Sequence, residues 1–169
     1  MSIYRSLICG VVGCGAGCAG TAGDDLIEND RWDYHDEVTD PFVEHRPETV
    51  DCNPLGVTNE SGVLEVQTDV CKYASLKQGA LLNIPSGTLV ELLVYHSALF
   101  AIEPAQGHVA VMSGDQLLME RWIEIPGEAD VYALELQLEE PISMDETVTF
   151  HVHNHGANSW KLAHIRTTD

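Results

Sequence analysis

Lysine and arginine are scarce in this chain: eight stand against 27 aspartates and glutamates, for a formal net charge of −19. Nucleic-acid affinity rests on such cations displacing counterions from phosphates, so a nucleic-acid partner is excluded. Attachment to anionic lipid through a basic face is excluded for the same reason. Long hydrophobic runs are lacking too. The one extended apolar stretch, Leu7 to Ala22, is rich in glycine and falls short of the roughly 20 residues that span a bilayer as a helix. Signatures of covalent catalysis are missing: there is no G-x-S-x-G elbow, and no glycine-rich phosphate loop lies beyond the first 23 residues. Carboxylates abound, but nothing in the sequence sets two of them across a cleft as glycoside hydrolysis requires. Catalysis is therefore not the expected role. With 169 residues, 44% of them hydrophobic, the chain has the length of one domain and can fill one ordinary core.

What is present begins with the N-terminus. Met1 to Ser6 carries a single positive charge, Arg5, and no further charge occurs before Asp24. That is the layout of an export signal. Val11-Val12-Gly13-Cys14 resembles the lipobox of bacterial lipoproteins, in which a branched residue, a small or branched residue and Gly or Ala precede the cysteine that becomes lipidated. Gly15-Ala16-Gly17-Cys18 is a second candidate: the motif favours Cys14, and leader length favours Cys18. The resemblance implies a signal peptide over residues 1–18 and an exported protein held to the bilayer by an N-terminal lipid in the bacterial cell envelope. No Asp follows either cysteine, which by analogy with enteric sorting favours the outer membrane. Export would carry the two remaining thiols, Cys52 and Cys71, into an oxidising compartment, where they are expected to pair. Closing that loop would stabilise the fold by roughly 3 kcal/mol in the chain-entropy model.

Residues 19–50 read as an acidic, flexible tether, because from Gly23 to Val50 acidic residues dominate and no period of 2 or 3.6 is sustained. Trp32, Tyr34 and Phe42 are unexplained by a pure spacer; they are either exposed or docked on the domain or a partner. From residue 51 to 169 the pattern changes to short apolar runs separated by turn residues. Strands are predicted over 62–70, 80–84, 89–96, 108–112, 117–125, 131–138, 147–153 and 160–165. Tyr132, Leu134, Leu136 and Leu138 alternate with Ala133, Glu135, Gln137 and Glu139, which predicts one buried and one wet face. The expected fold is all-β: a two-sheet β-sandwich, a jelly roll of about eight strands with one disulfide.

The turn Asn154-His155-Gly156-Ala157-Asn158-Ser159-Trp160 is similar to that of the galactose-binding-like jelly rolls used as carbohydrate-binding modules. The resemblance implies an envelope-anchored binding or interaction module for a glycan or an envelope protein. Asn154, Asn158 and Trp160 would be the ligand-binding residues, with Trp160 either a sugar-stacking platform or core. The strand before that turn offers an alternative. Val148, Phe150 and Val152 take the core side by alternation, so His151 and His153 share the opposite face, joined by His155 if the strand persists. Two imidazoles at i and i+2 can share a zinc or copper ion, with His108 or His96 as further ligands. The stretch also looks like a cupredoxin strand, but the Cys-His-Met ligand set is absent, and so is the acidic residue that follows His-x-His in cupins. His96 ends a buried row and is expected to be a hydrogen-bonded core residue. His164 is expected at a packed or edge position, and Trp122 in the core or between strands.

Overall fold

A computed structural model describes residues 23–168. The expected signal peptide and the candidate lipidation sites Cys14 and Cys18 lie outside the described residues. Ten strands build two antiparallel five-stranded sheets that pack face to face, as the sequence pattern predicts. Sheet 1 has the order β1 (Asp33–Tyr34), β4 (Tyr73–Gly79), β9 (Thr147–His153), β6 (Ala105–Ser113), β7 (Gln116–Ile125). Sheet 2 runs β2 (Val57–Glu60), β3 (Val63–Gln67), β10 (Ser159–Thr167), β5 (Leu89–His96), β8 (Asp130–Gln137). Among the described residues, two single-turn 3-10 helices, Val43–His45 and Pro54–Gly56, are the helical elements, and neither is long and apolar enough to cross a membrane. Cys52 and Cys71 form the expected disulfide.

The side-chain period of two along each strand decides what faces the core. On β9, Val148, Phe150 and Val152 point between the sheets with Val109 and Val111 of β6 and Ala74 and Leu76 of β4. Sheet 2 answers with Leu64, Val66, Val90, Leu92, Val94, Trp160, Leu162 and Ile165. Strands β5 and β9 fall where the alternation puts them. Tyr132, Leu134 and Leu136 pack against the core but stay only half-buried, because β8 is the edge of its sheet.

Two expectations are corrected. The strand predicted over 80–84 is a connecting segment with one isolated bridge, Ile84 to Ile142, and the real strand β4 immediately precedes it. Ala, Ser, Lys and Gln give β4 little intrinsic strand signal, and it forms because central β9 supplies its ladder. The larger correction concerns the tether. Residues 24–46 lie against the sandwich: Leu26 is wholly buried and donates its N–H to Ile165. The Asn29 amide donates to the carbonyls of Gly62, Leu162 and Ala163, and Trp32 in turn donates to Asn29. β1 then pairs with β4, and the chain crosses the outer face of sheet 1 as a strap. Composition hid this because the few anchoring groups stand singly among exposed carboxylates.

Candidate metal centre

Registered antiparallel pairing puts cross-strand partners on the same face. On sheet 1, Tyr73 of β4, His153 of β9, His108 of β6 and Trp122 of β7 therefore form one outward-facing row. The next row is Ser75, His151, Ala110 and Glu120. Ala110 is small, which leaves room beside His151. An outward row would normally be wet, but here the strap covers it and carries a further histidine, His45, over the face.

His45, His108 and His151 each bring a ring nitrogen to within 4.8 Å of the others. Three nitrogens bound 2.0–2.1 Å from one ion stand roughly 3.4 Å apart, so small side-chain rotations would close the trio on a cation. The polar bookkeeping points the same way. His151 is fully buried, and neither of its ring nitrogens has a partner with hydrogen-bond geometry. His108 is 1% exposed; its Nε2 donates to Glu120 Oε1 at 2.9 Å, and its Nδ1 is buried without a partner. A carboxylate holding one imidazole nitrogen fixes the tautomer and leaves the other lone pair for a metal. Buried polar atoms are nearly always satisfied, so the unpartnered nitrogens of His108 and His151, of which each ring can turn one towards a shared ion, call for a ligand.

Aromatic rings close the site. Phe42 stacks on His151 with centroids 4.2 Å apart and meets His108 edge-on at 5.4 Å. Trp122 stacks on the other side of His108 at 3.9 Å, and Tyr73 presents its ring to His151 at 4.9 Å. Burial lowers the pKa of His151 well below its ordinary value, reinforced by neighbouring His108, His45 and His153 and only weakly opposed by the Ala74 backbone. His108 is lowered by burial, against the opposing pull of Glu120. His153 is pushed down to about 4 by burial and by His155, His45 and His108. These imidazoles are thus held neutral, the form that ligates metal.

The strap that delivers His45 is fastened by one buried carboxylate. Asp40 accepts hydrogen bonds from Phe42 N, Ser75 Oγ, Tyr73 Oη and Arg46 Nη1. Burial pushes its carboxyl up, but those four bonds outweigh burial and leave it below the usual range. Asp36 turns the chain just before, accepting from the N–H groups of Val38 and Thr39, and His35 is buried between Thr39 and Thr149.

The residues singled out from the sequence separate here. His108 and His151 join the trio; His153 touches it, with its Nδ1 3.2 Å from Nδ1 of His45; His155 is exposed, one ring further out. His45 was missed: it lies 63 residues from His108 in a segment read as tether, and only the unexplained aromatic Phe42 nearby hinted that the segment packs. Trp160 is fully enclosed in the core and offers no face to a sugar, which selects the core alternative and removes it as a ligand-binding residue. Asn154 and Asn158 are buried as well. Asn154 donates to Thr68 Oγ1, and Asn158 both donates to the carbonyl of Phe100 and accepts from its N–H, so both fasten the turn from within. His96 is the expected core histidine, bonded to Ser97 O and Tyr132 Oη. His164 lies beside Glu91 at 3.4 Å on the far sheet. Trp122 is half-exposed and stacks on its cross-strand partner His108, which selects the inter-strand alternative over the core one.

No family model matches the chain, and none of the curated proteins does. Solved structures do. The K3 cleaved adhesin domain of Lys-gingipain from Porphyromonas gingivalis aligns over 89% of this chain and all of that one, at 13% identity and a TM-score of 0.49. A CBM4 structure aligns over 83% of this chain and 88% of its own, at 10% identity and 0.43. The CBM35 from Paenibacillus barcinonensis aligns over 72% and 88%, at 12% identity and 0.32. These neighbours are β-sandwich domains, several of them carbohydrate-binding modules. At such identities and TM-scores the likeness says nothing of what this chain binds.

Proposed function

We propose that this protein is an exported, lipid-anchored envelope protein whose β-sandwich is a binding module for a transition-metal ion, zinc or copper. The observation that carries the metal reading is the convergence of His45, His108 and His151, with buried nitrogens of His108 and His151 that lack a partner in hydrogen-bond geometry among the described residues. Imidazole suits both ions, and the absence of thiolate and thioether from the trio leaves the choice between them to the ion available. The export reading rests on the lipobox-like Val11-Val12-Gly13-Cys14 and on Gly15-Ala16-Gly17-Cys18. The disulfide between Cys52 and Cys71 fits an oxidising compartment. A sugar ligand at the last turn has less support, because Trp160 is enclosed.

Metal content by mass spectrometry on the full chain, produced with export, tests this reading. About one equivalent of zinc or copper is expected, lost in His151→Ala and in His45→Ala while both variants keep the wild-type circular dichroism. Absence of bound metal after incubation with either ion would reject it.

A further inference from the structure

The trio is closed on most sides. The sheet lies beneath it, Phe42 over it, Trp122 beyond His108, and Tyr73 beside His151. The remaining side is marked by two more histidines. His153 is half-buried, its ring stacked on that of His45 with the planes 5° apart, and its Nδ1 lies 3.2 Å from Nδ1 of His45. One ring donates a hydrogen bond to the other across that separation, and an ion held by both nitrogens at 2.0–2.1 Å would need little more, roughly 3.4 Å. His155 follows, with its centroid 5.4 Å from that of His153, and is exposed.

His45 thus belongs to two groupings: one of its nitrogens joins the buried trio, and its Nδ1 meets His153. Both outer histidines line a cleft of about 260 Å³ whose wall includes Asp51 and Asp69, with Lys72 as the only basic lining residue. Carboxylates at a cleft mouth on a strongly acidic protein concentrate cations there. An ion reaching a buried site must shed its water, and a row of imidazoles lets it exchange each water for a nitrogen, so that it is never left bare in an apolar passage.

We propose that His155 and His153, with the cleft they line, are the loading port of the metal site. Through it a transition-metal cation passes by stepwise ligand exchange to His45 and then to the trio. This inference rests on the metal reading above. Neither outer histidine is needed to hold the ion at rest; both act on the rate at which it arrives and leaves. Because a port lowers one barrier crossed in both directions, damage to it slows association and dissociation by the same factor.

Stopped-flow mixing of the metal-free full chain with Zn2+ measures the association rate, followed by tryptophan fluorescence, which Trp122 on His108 couples to the site. Chelator competition measures dissociation. His155→Ala is at an exposed position and Asp51→Asn/Asp69→Asn are at the cleft wall, so all should fold. Each is expected to slow association and dissociation together, roughly tenfold, with stoichiometry and Kd unchanged. Wild-type rates in both variants would overturn the port. A weakened Kd with unchanged association would also overturn it, by making His155 a resting ligand. Failure of the wild-type chain itself to bind Zn2+ would reject the metal reading and the port with it.

Discussion

On sheet 2, His164 lies at a partly exposed outer position, with its Nε2 shielded from solvent and 3.4 Å from Glu91, a carboxylate that also accepts from Arg166 at 2.7 Å. Lys161 pairs there with Glu65 at 3.8 Å and lies over the Tyr95 ring. On sheet 1, His151 occupies an outer position too, yet it is fully buried, and neither of its nitrogens is paired. The strand grammar is the same on both sheets. What differs is the cover: residues 35–46 roof the outer face of sheet 1 and remove water that would otherwise satisfy its polar groups. An outward histidine therefore becomes a candidate ligand only when a second layer desolvates it, and that layer is supplied by a segment remote in sequence.

The most disruptive way to break this contrast is to unfasten the roof. Asp40 has no exposed side-chain surface and holds Arg46, Tyr73, Ser75 and Phe42 at once. Removing one partner from such a buried network is costly, so Asp40→Ala should destabilise the protein by about 3 kcal/mol in denaturant unfolding. It should also weaken zinc binding, because His45 loses its anchor. A variant that unfolds at the wild-type denaturant concentration would show that the strap is not fastened there.

A smaller effect separates the faces by pH. His108, His151 and His153 all have folded pKa values lowered from 6.5, that of His153 to about 4. Below about 6.5 the unfolded chain therefore binds more protons than the folded one, and stability must fall as pH drops. The contribution is complete above the unfolded pKa and is lost progressively towards pH 4. Asp40, also lowered, loses its contribution only below the usual carboxylate range. The unfolding midpoint of the metal-free chain should accordingly be lower at pH 5 than at pH 7. A flat profile between those values would mean that the covered histidines are not held neutral.

The smallest effect belongs to the open face. Arg166→Ala removes a partly exposed ion pair and should cost within about 1 kcal/mol in the same unfolding assay, weakening with added salt. Zinc stoichiometry should not change. A loss comparable to that of Asp40→Ala would erase the distinction between a covered and an uncovered sheet.

Much of the sandwich was legible because period-two patterns survive wherever one face is buried. Thr147–His153 declared both its core residues and its outward histidines, and Leu89–His96 was bounded correctly. β4 was illegible because Ala74, Ser75, Lys77 and Gln78 take their conformation from pairing and not from propensity. Half of the site followed the same division. His151 could be named from strand parity and His108 only as a further candidate ligand, and no local pattern connects them with His45. The carboxylates around Leu26, Asp40, Phe42 and His45 mimic the composition of a disordered spacer, while these few side chains do the anchoring.

The most direct test of the central claim is X-ray absorption at the metal edge on the zinc-loaded full chain. The account predicts a shell of nitrogens at about 2.0 Å with the multiple-scattering pattern of three imidazoles, lost on substitution of His151. A spectrum dominated by oxygen ligands, or one unchanged in His151→Ala, would contradict it.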